Sequence, residues 1–308
     1  MTNYTQQKLQ DVANKVIAQM ENAGTDWIKP FSYSSSLGSS TGSRNLKSNN
    51  LYTGINMVIL GFEAMEKGYK SNTWATYKQI QEAGGQVLKG NKSTSVCYYG
   101  QHINRIKDDV TGEELINPYR FLKFYNVFNI DQTTLEDKPV VKSKPRTLVQ
   151  KIEDVEKFVS NTQAKIVHSE AGRCYYRPAT DTINMSPIDS WKAVKDSSRE
   201  ELYYSTLLHE LVHWTGAEKR CNRDKASNVF GNEGYAFEEL VAEFGSAMLC
   251  NTLEISKEPS TQHAKYINNW VARIKEEPKA IFKAIALSQK AVNFIYDLQQ
   301  EEVIKNVA

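Results

Sequence analysis

The chain is poor in cysteine: Cys97, Cys174, Cys221 and Cys250 are the only four in 308 residues, and no two form a CxxC pair. That argues against a cysteine-built zinc site. Such sparse, unpatterned use fits reduced thiols rather than a disulfide framework. Long apolar runs are missing as well. The longest, around Ile55 to Phe62, is far too short to cross a bilayer. The opening stretch MTNYTQQKLQ is polar and has no apolar core of the signal-peptide kind. The expectation is a cytoplasmic protein that is neither exported nor membrane-bound. There is no internal repeat, no zinc-finger spacing and nothing that marks a base-reading helix.

Acidic residues are scarce in one region. From Trp27 to Lys107 there are ten Lys/Arg against Glu63, Glu66 and Glu82, a net of +7, so the other residues sum to −5 within a formal total of +2. A basic front half on a mildly acidic remainder points to a polyanion partner. The same region interleaves its cations with Trp27, Phe31, Tyr52, Trp74, Tyr77, Tyr98 and Tyr99. Cations for phosphate and aromatic faces for bases are what sequence-tolerant binding of single strands requires.

Length and composition suit one large or two ordinary soluble domains. Leu9, Val12, Val16, Ile17 and Met20 give an amphipathic first helix ended near Gly24. Ser34 to Asn50, rich in Ser, Gly and Asn, reads as a loop carrying Arg44 and Lys47. A helix from about Gly54 to Lys67 follows, then a short one begun at Thr73 and stopped by Gly84-Gly85. Val87-Leu88, Ser95 to Tyr99 and Tyr119 to Ile130 read as strands, with a hairpin turn at Asp108 to Gly112. Asp131 to Pro145 has the composition of a linker and sets a boundary near residue 140.

Beyond it come a helix from Leu148 to Val159, a strand at Ala164 to His168, and a hairpin of Arg173 to Arg177 with Thr182 to Met185. Ser198 and Glu201 form a capping box for a helix running to Trp214 and closed by Gly216. Helices at Tyr235 to Cys250, Thr261 to Lys275 and Lys279 to Gln300 complete the chain. The fold class is α+β: an N-terminal α+β domain, 1–140, followed by a mostly helical domain, 141–308, with a small antiparallel sheet.

The chemistry concentrates in His209-Glu210-Leu211-Val212-His213. Residues four apart share a helix face, so both imidazoles can meet one ion. Glu210 is then placed to take a proton from a metal-bound water. This is the HExxH pattern of zincin-type sites. A third ligand is expected downstream. His102 and His168 lie upstream and His263 is distant, whereas Tyr235 to Leu249 offers Glu238, Glu239 and Glu243. An acidic pair four apart, 20–30 residues past HExxH, resembles the gluzincin arrangement, in which the first acid binds the metal and the second holds a histidine. Glu239 is thereby assigned as ligand and Glu243 as the outer carboxylate, with the reverse assignment open. Zn2+ suits two histidines and a carboxylate best, and Mn2+ is the alternative. Tyr235 reads as a packing or capping residue, with oxyanion stabilisation as its other reading. The hairpin offers an edge strand to an extended peptide, or is plain support.

Trp27-Ile28-Lys29-Pro30, Arg44-Asn45, Tyr52-Thr53-Gly54-Ile55-Asn56, Trp74 to Gln79, Gly84 to Gly90 and Tyr125 to Asn129, in that order, resemble the N-terminal domain of the ArdC anti-restriction family. HELVHWTG followed by YAFEELVAEFGSAML is similar to that family's metallopeptidase-like domain. The resemblance implies a single-stranded DNA-binding domain before a zincin-like one, in a cytoplasmic protein of conjugative plasmids or related mobile elements. Its implied activity is to protect incoming DNA from host restriction, with restriction–modification subunits as a further partner. DNA contacts are expected from Trp27, Arg44, Asn45, Lys47, Tyr52, Asn56, Trp74, Lys78, Lys89 and Lys92. The other reading is a metallopeptidase whose front half only locates its substrate.

Overall fold

The computed structural model describes residues 3–24, 27, 42–107, 114–136, 146–170, 172–194, 197–223, 233–255 and 264–305. The front half builds α1 (Asn3–Ala23), β1 (Arg44–Asn45), α2 (Ile55–Lys67), β2 (Thr73–Thr76), α3 (Tyr77–Glu82), β3 (Thr94–Lys107) and β4 (Glu114–Asn129). Its sheet runs in the order β1-β2-β4-β3, with β1 and β2 parallel and the other pairs antiparallel.

The helix expected from Thr73 starts four residues later. Thr73 to Thr76 form a strand instead, in which Trp74 to Thr76 pair with Val127 to Asn129, as suits threonines beside a tryptophan. Thr76 then caps α3 in a box with Gln79. The strand expected at Ser95 to Tyr99 extends to Lys107, and the one expected at Tyr119 extends back to Glu114. The hairpin turn expected between them lies outside the described residues. Val87 forms only an isolated bridge, to Thr133. The start of the expected linker is ordered: Asn129 caps a 3-10 turn over Ile130–Gln132, and Gln132 and Thr133 are buried. The expected Ser34–Asn50 loop is described only from residue 42, and there it holds β1.

The second half builds α4 (Leu148–Asn161), β5 (Lys165–His168), β6 (Tyr175–Arg177), β7 (Thr182–Met185), α5 (Arg199–Trp214), α6 (Glu233–Leu253), α7 (Ala264–Glu276) and α8 (Lys279–Lys305). Its three-stranded sheet is mixed rather than antiparallel, in the order β5-β7-β6, because β5 runs parallel to β7. No helix of the described residues is long and apolar enough to cross a membrane.

The largest buried cluster crosses residue 140. Ala13, Val16, Ile17 and Met20 of α1, Trp27, and Val58 and Phe62 of α2 pack with α5, α6, α7 and α8. Lys275 Nζ reaches Glu21 at 2.7 Å, and the Gly54 amide donates to Gln289 at 3.0 Å. The chain therefore changes composition at the expected linker without dividing its hydrophobic core there.

Candidate metal centre

Helix α5 carries the histidines and is fixed at both ends. Ser198 accepts from the Glu201 amide, and Glu201 returns an acceptor to the Ser198 amide, at 3.1 and 3.0 Å. Between the ends, Leu207, Leu208, Leu211 and Val212 are buried, so the helix runs through the core and its polar residues must find partners there. Thr215 ends it by donating to the Val212 carbonyl. Helix α6 lies against α5 closely enough that a Cβ added to Gly245 would sit 2.8 Å from Val212 Cγ2. That approach brings the acidic face of α6 onto the histidines.

His209 Nε2 and His213 Nε2 lie 3.1 Å apart, and each is 3.5 Å from a different oxygen of Glu239. Their ligand atoms all fall within 4.8 Å of one another. Donors about 2.0–2.1 Å from a zinc ion at tetrahedral angles stand about 3.3–3.4 Å apart. The nitrogen–nitrogen separation and the two nitrogen–oxygen separations, each to its own oxygen of Glu239, are of that order. Two ring nitrogens and a carboxylate oxygen are also the donor set that suits zinc, with manganese admissible. The residues present therefore fit the ion that the motif implies.

The surroundings are anionic. Glu210, Glu238, Glu239 and Glu243 all approach the imidazoles, and among the described residues only Arg223 brings a positive charge into the cluster. Burial pulls the His213 pKa down, but Glu238, Glu239 and Glu210 outweigh it and raise it to about 9. The pocket thus favours a cation at its centre, whether a proton or a metal ion.

Each histidine has an outer carboxylate. Glu243 Oε1 lies 3.8 Å from His209 Nδ1. Glu238 Oε1 lies closer to His213 Nδ1, at 3.3 Å, and is itself held by Arg223 through Nε at 2.9–3.0 Å and Nη2 at 2.6 Å. Burial works to raise the Glu238 pKa, and its bonds to His213 and Arg223 outweigh it and hold it low. Arg223 also donates to the Val212 carbonyl and to Thr215 Oγ1, which fastens it to the end of α5. Gly216 leaves room for this: a Cβ there would meet Arg223 Nη2 at 3.0 Å. Sequence reasoning noticed Glu238 but gave it no role, and it missed Arg223. The residue preceding the acidic pair was the one available signal for the first. Arg223 had none, because only the fold places it.

Glu210 is buried, and its Oε2 accepts the Tyr176 amide at 2.8 Å. Tyr176 sits on β6, the end strand of its sheet. A network ties that strand to the end of α5. The Tyr176 hydroxyl donates to Asp181 at 2.8 Å, and Arg220 pairs with Asp181, donates to the Trp214 carbonyl at 2.6 Å and lies over the Trp214 ring. Tyr235, read from sequence as packing, hydrogen-bonds Glu239. Burial and that carboxylate push its phenol far above the ordinary range. His168 is occupied elsewhere, with Nε2 at 2.8 Å from the Tyr203 hydroxyl.

The residues expected to contact DNA do not form one surface. Trp27 is 3% exposed, with its ring edge-on to Phe244 and Trp270. Trp74 is fully buried between α2 and the sheet. Neither can stack on a base, which corrects that expectation: large apolar rings beside a helix–sheet contact contribute most when buried. Asn45 donates to Tyr52 and Gln79, and Asn56 grips both backbone groups of Cys97 at 2.7 and 2.8 Å. These side chains hold the fold. Arg44 is half-buried and donates to Asn49. Lys47 and Lys78 are exposed and both pair with Glu82, and Lys89 and Lys92 are exposed.

Residues 153–287 match the zincin-like metallopeptidase family, and residues 6–128 match the N-terminal domain of anti-restriction factor ArdC. The metal-free crystal structure of the antirestriction protein ArdC from plasmid R388 superposes with a TM-score of 0.74 at 34% identity, covering 95% of this chain and 98% of that one. Its Mn(II)-bound form gives 0.73 at 31% identity, covering 94% and 97%. An uncharacterised protein of Sinorhizobium fredii, y4eC, is 32% identical over 95% of this chain and 94% of its own length. DNA primase TraC of Escherichia coli is 33% identical over 96% of this chain, which spans only 27% of the primase. With both halves matched in order and an ArdC crystal structure covered almost end to end, the chain belongs to the ArdC antirestriction family.

Proposed function

We propose that this protein binds single-stranded DNA without sequence specificity and shields DNA entering a cell from host restriction, with a divalent-ion centre in its second half. The family membership carries this reading, and the basic, aromatic-bearing front half supports it. The chain divides in function near residue 140: 1–140 serves the DNA and 141–308 the ion. It works in the cytoplasm, on behalf of a plasmid or similar mobile element that moves by conjugation.

His209, His213 and Glu239 would hold the ion, Zn2+ by preference and Mn2+ as the alternative. When bound, such an ion acidifies a water molecule. Glu210 presents a carboxylate fixed by the Tyr176 amide, placed to accept that proton. Glu238 and Glu243 orient the two imidazoles. Tyr235 holds Glu239.

A metallopeptidase acting on a restriction–modification subunit or another protein is the second reading, favoured by Glu210 beside the donor triad. One observation weighs against an extended peptide on β6. The strand has three residues, and the amide of its middle residue is already given to Glu210. Glu210→Gln separates the readings. Protection of transferred DNA that survives this substitution assigns the activity to binding, and protection lost with DNA binding intact assigns it to hydrolysis. The DNA reading itself fails if a labelled single strand shows no binding that weakens with salt.

A further inference from the structure

Trp27 and Trp74 lie in the core, so the rings that meet bases must be others. Tyr98 is 54% exposed and Tyr125 47% exposed. Both stand on one face of the long hairpin of β3 and β4. Register places Val96 opposite Tyr125 and Tyr98 opposite Lys123. Alternation along a strand then puts Tyr98, Tyr125, Lys123 and Phe121 on the same side as Val96 and Val127. The two valines are covered by Leu60 and Ala64 of α2. Tyr125, level with Val96, stands at the end of that cover, and Tyr98, two residues on from Val96, lies beyond it; both are exposed.

Tyr98 is 6.0 Å from Phe121 and 6.5 Å from Tyr125, with ring planes inclined at 49° and 69°. Lys123 Nζ sits 5.0 Å from the Phe121 centroid. The tyrosines meet edge to face rather than stacked, and about half of each residue is open to solvent. Their spacing is about twice the ~3.4 Å rise of stacked bases. Bases drawn that far apart have lost their stacking on each other and can each take a ring instead.

The charge suits a polyanion: the sequences of the two strands hold four Lys/Arg and one Glu. The geometry points to this face of the β3–β4 hairpin as a stacking platform for unpaired bases, with Tyr98 and Tyr125 as its rings and Lys123 as a phosphate contact. Tyrosine faces accept any base, which gives the sequence tolerance already proposed. The platform rests on that reading, because it presumes that the chain binds single strands.

The test is a polarisation titration of a labelled oligothymidine with the full chain at two salt concentrations. Tyr98→Ala and Tyr125→Ala should each weaken binding about 5-fold or more, and the phenylalanine variants should stay within about 3-fold. Lys123→Ala should lower the salt slope by about one contact. Ultraviolet cross-linking of the wild-type complex, mapped by mass spectrometry, should place thymidine on Tyr98 or Tyr125, and it decides the matter if an alanine variant fails to fold. Wild type that binds no single strand sinks the DNA reading as a whole. Wild type that binds, with alanine variants equally tight or cross-links confined to other segments, overturns the platform alone. That result would leave the face to a protein partner or to no ligand.

Discussion

Glu238→Ala should weaken metal binding and stability together, for separable reasons. The substitution removes the carboxylate 3.3 Å from His213 Nδ1, a contact that in the proposed site would fix the ring's orientation and leave Nε2 for the ion. Loss of such an outer carboxylate costs about 10–100-fold in metal affinity. It also strips Arg223, only 4% exposed, of its ionic partner. Breaking one side of a buried pair costs about 3–5 kcal/mol, because the remaining charge stays desolvated. Adding Arg223→Met removes that orphaned charge, so the double variant should be less destabilised than the sum of the single ones by about 2 kcal/mol or more. Its metal affinity should stay low, because no carboxylate returns to His213. Urea unfolding in chelator measures the first quantity, and competition against a chromophoric chelator measures the second. Glu238→Ala protein that binds the ion within 3-fold of wild type would refute the positioning role. Strictly additive stabilities would refute the pairing.

Other substitutions test neighbouring parts of the site. Glu239→Ala should abolish stoichiometric ion binding, while Glu243→Ala should retain it at about 10–100-fold lower affinity, as read by the same competition. Gly245→Ala forces a methyl against Val212, so unfolding should show a loss of about 1–3 kcal/mol, and separation of α5 from α6 should weaken the ion as well. Asp181 is held well below the ordinary carboxylate range, chiefly by Arg220. Its contribution is therefore present above about pH 4 and fades as pH falls towards the depressed folded value. Asn tolerates the left-handed backbone at this position (φ 50°). Asp181→Asn should accordingly cost about 1 kcal/mol at pH 7, discounted for the turn's exposure to solvent. That gap should begin to narrow in unfolding experiments below about pH 4.

What the sequence revealed of this molecule was local or periodic. The capping box at Ser198, the two histidines four apart and the apolar stripe of α1 depend on residues within a few turns of one another, and each appears in the structure where the spacing puts it. The approach of Glu239 to the two histidines was legible for the same reason, since Glu239 and Glu243 share a helix face. The pairing of Arg223 with Glu238 was not, because nothing in a lone arginine tells which carboxylate the fold will bring to it. Composition also counted Trp27 and Trp74 as exposed aromatics, although a count cannot tell which side of a sheet a ring will face. The length of β3 and β4 escaped because polar residues in their outer parts interrupt the pattern of a half-buried strand. The linker-like composition past Asp131 concealed a core shared by both halves, which only long-range packing of α1 and α2 on α7 and α8 produces.

The claim on which the rest of the site depends is that His209, His213 and Glu239 converge on a single ion. X-ray absorption of zinc-loaded protein at one equivalent measures this directly. Two imidazole nitrogens and a carboxylate oxygen at about 2.0–2.2 Å are expected, with the imidazole scattering reduced by half in His213→Ala. A first shell without imidazole, or one unchanged by His213→Ala, would contradict the assignment.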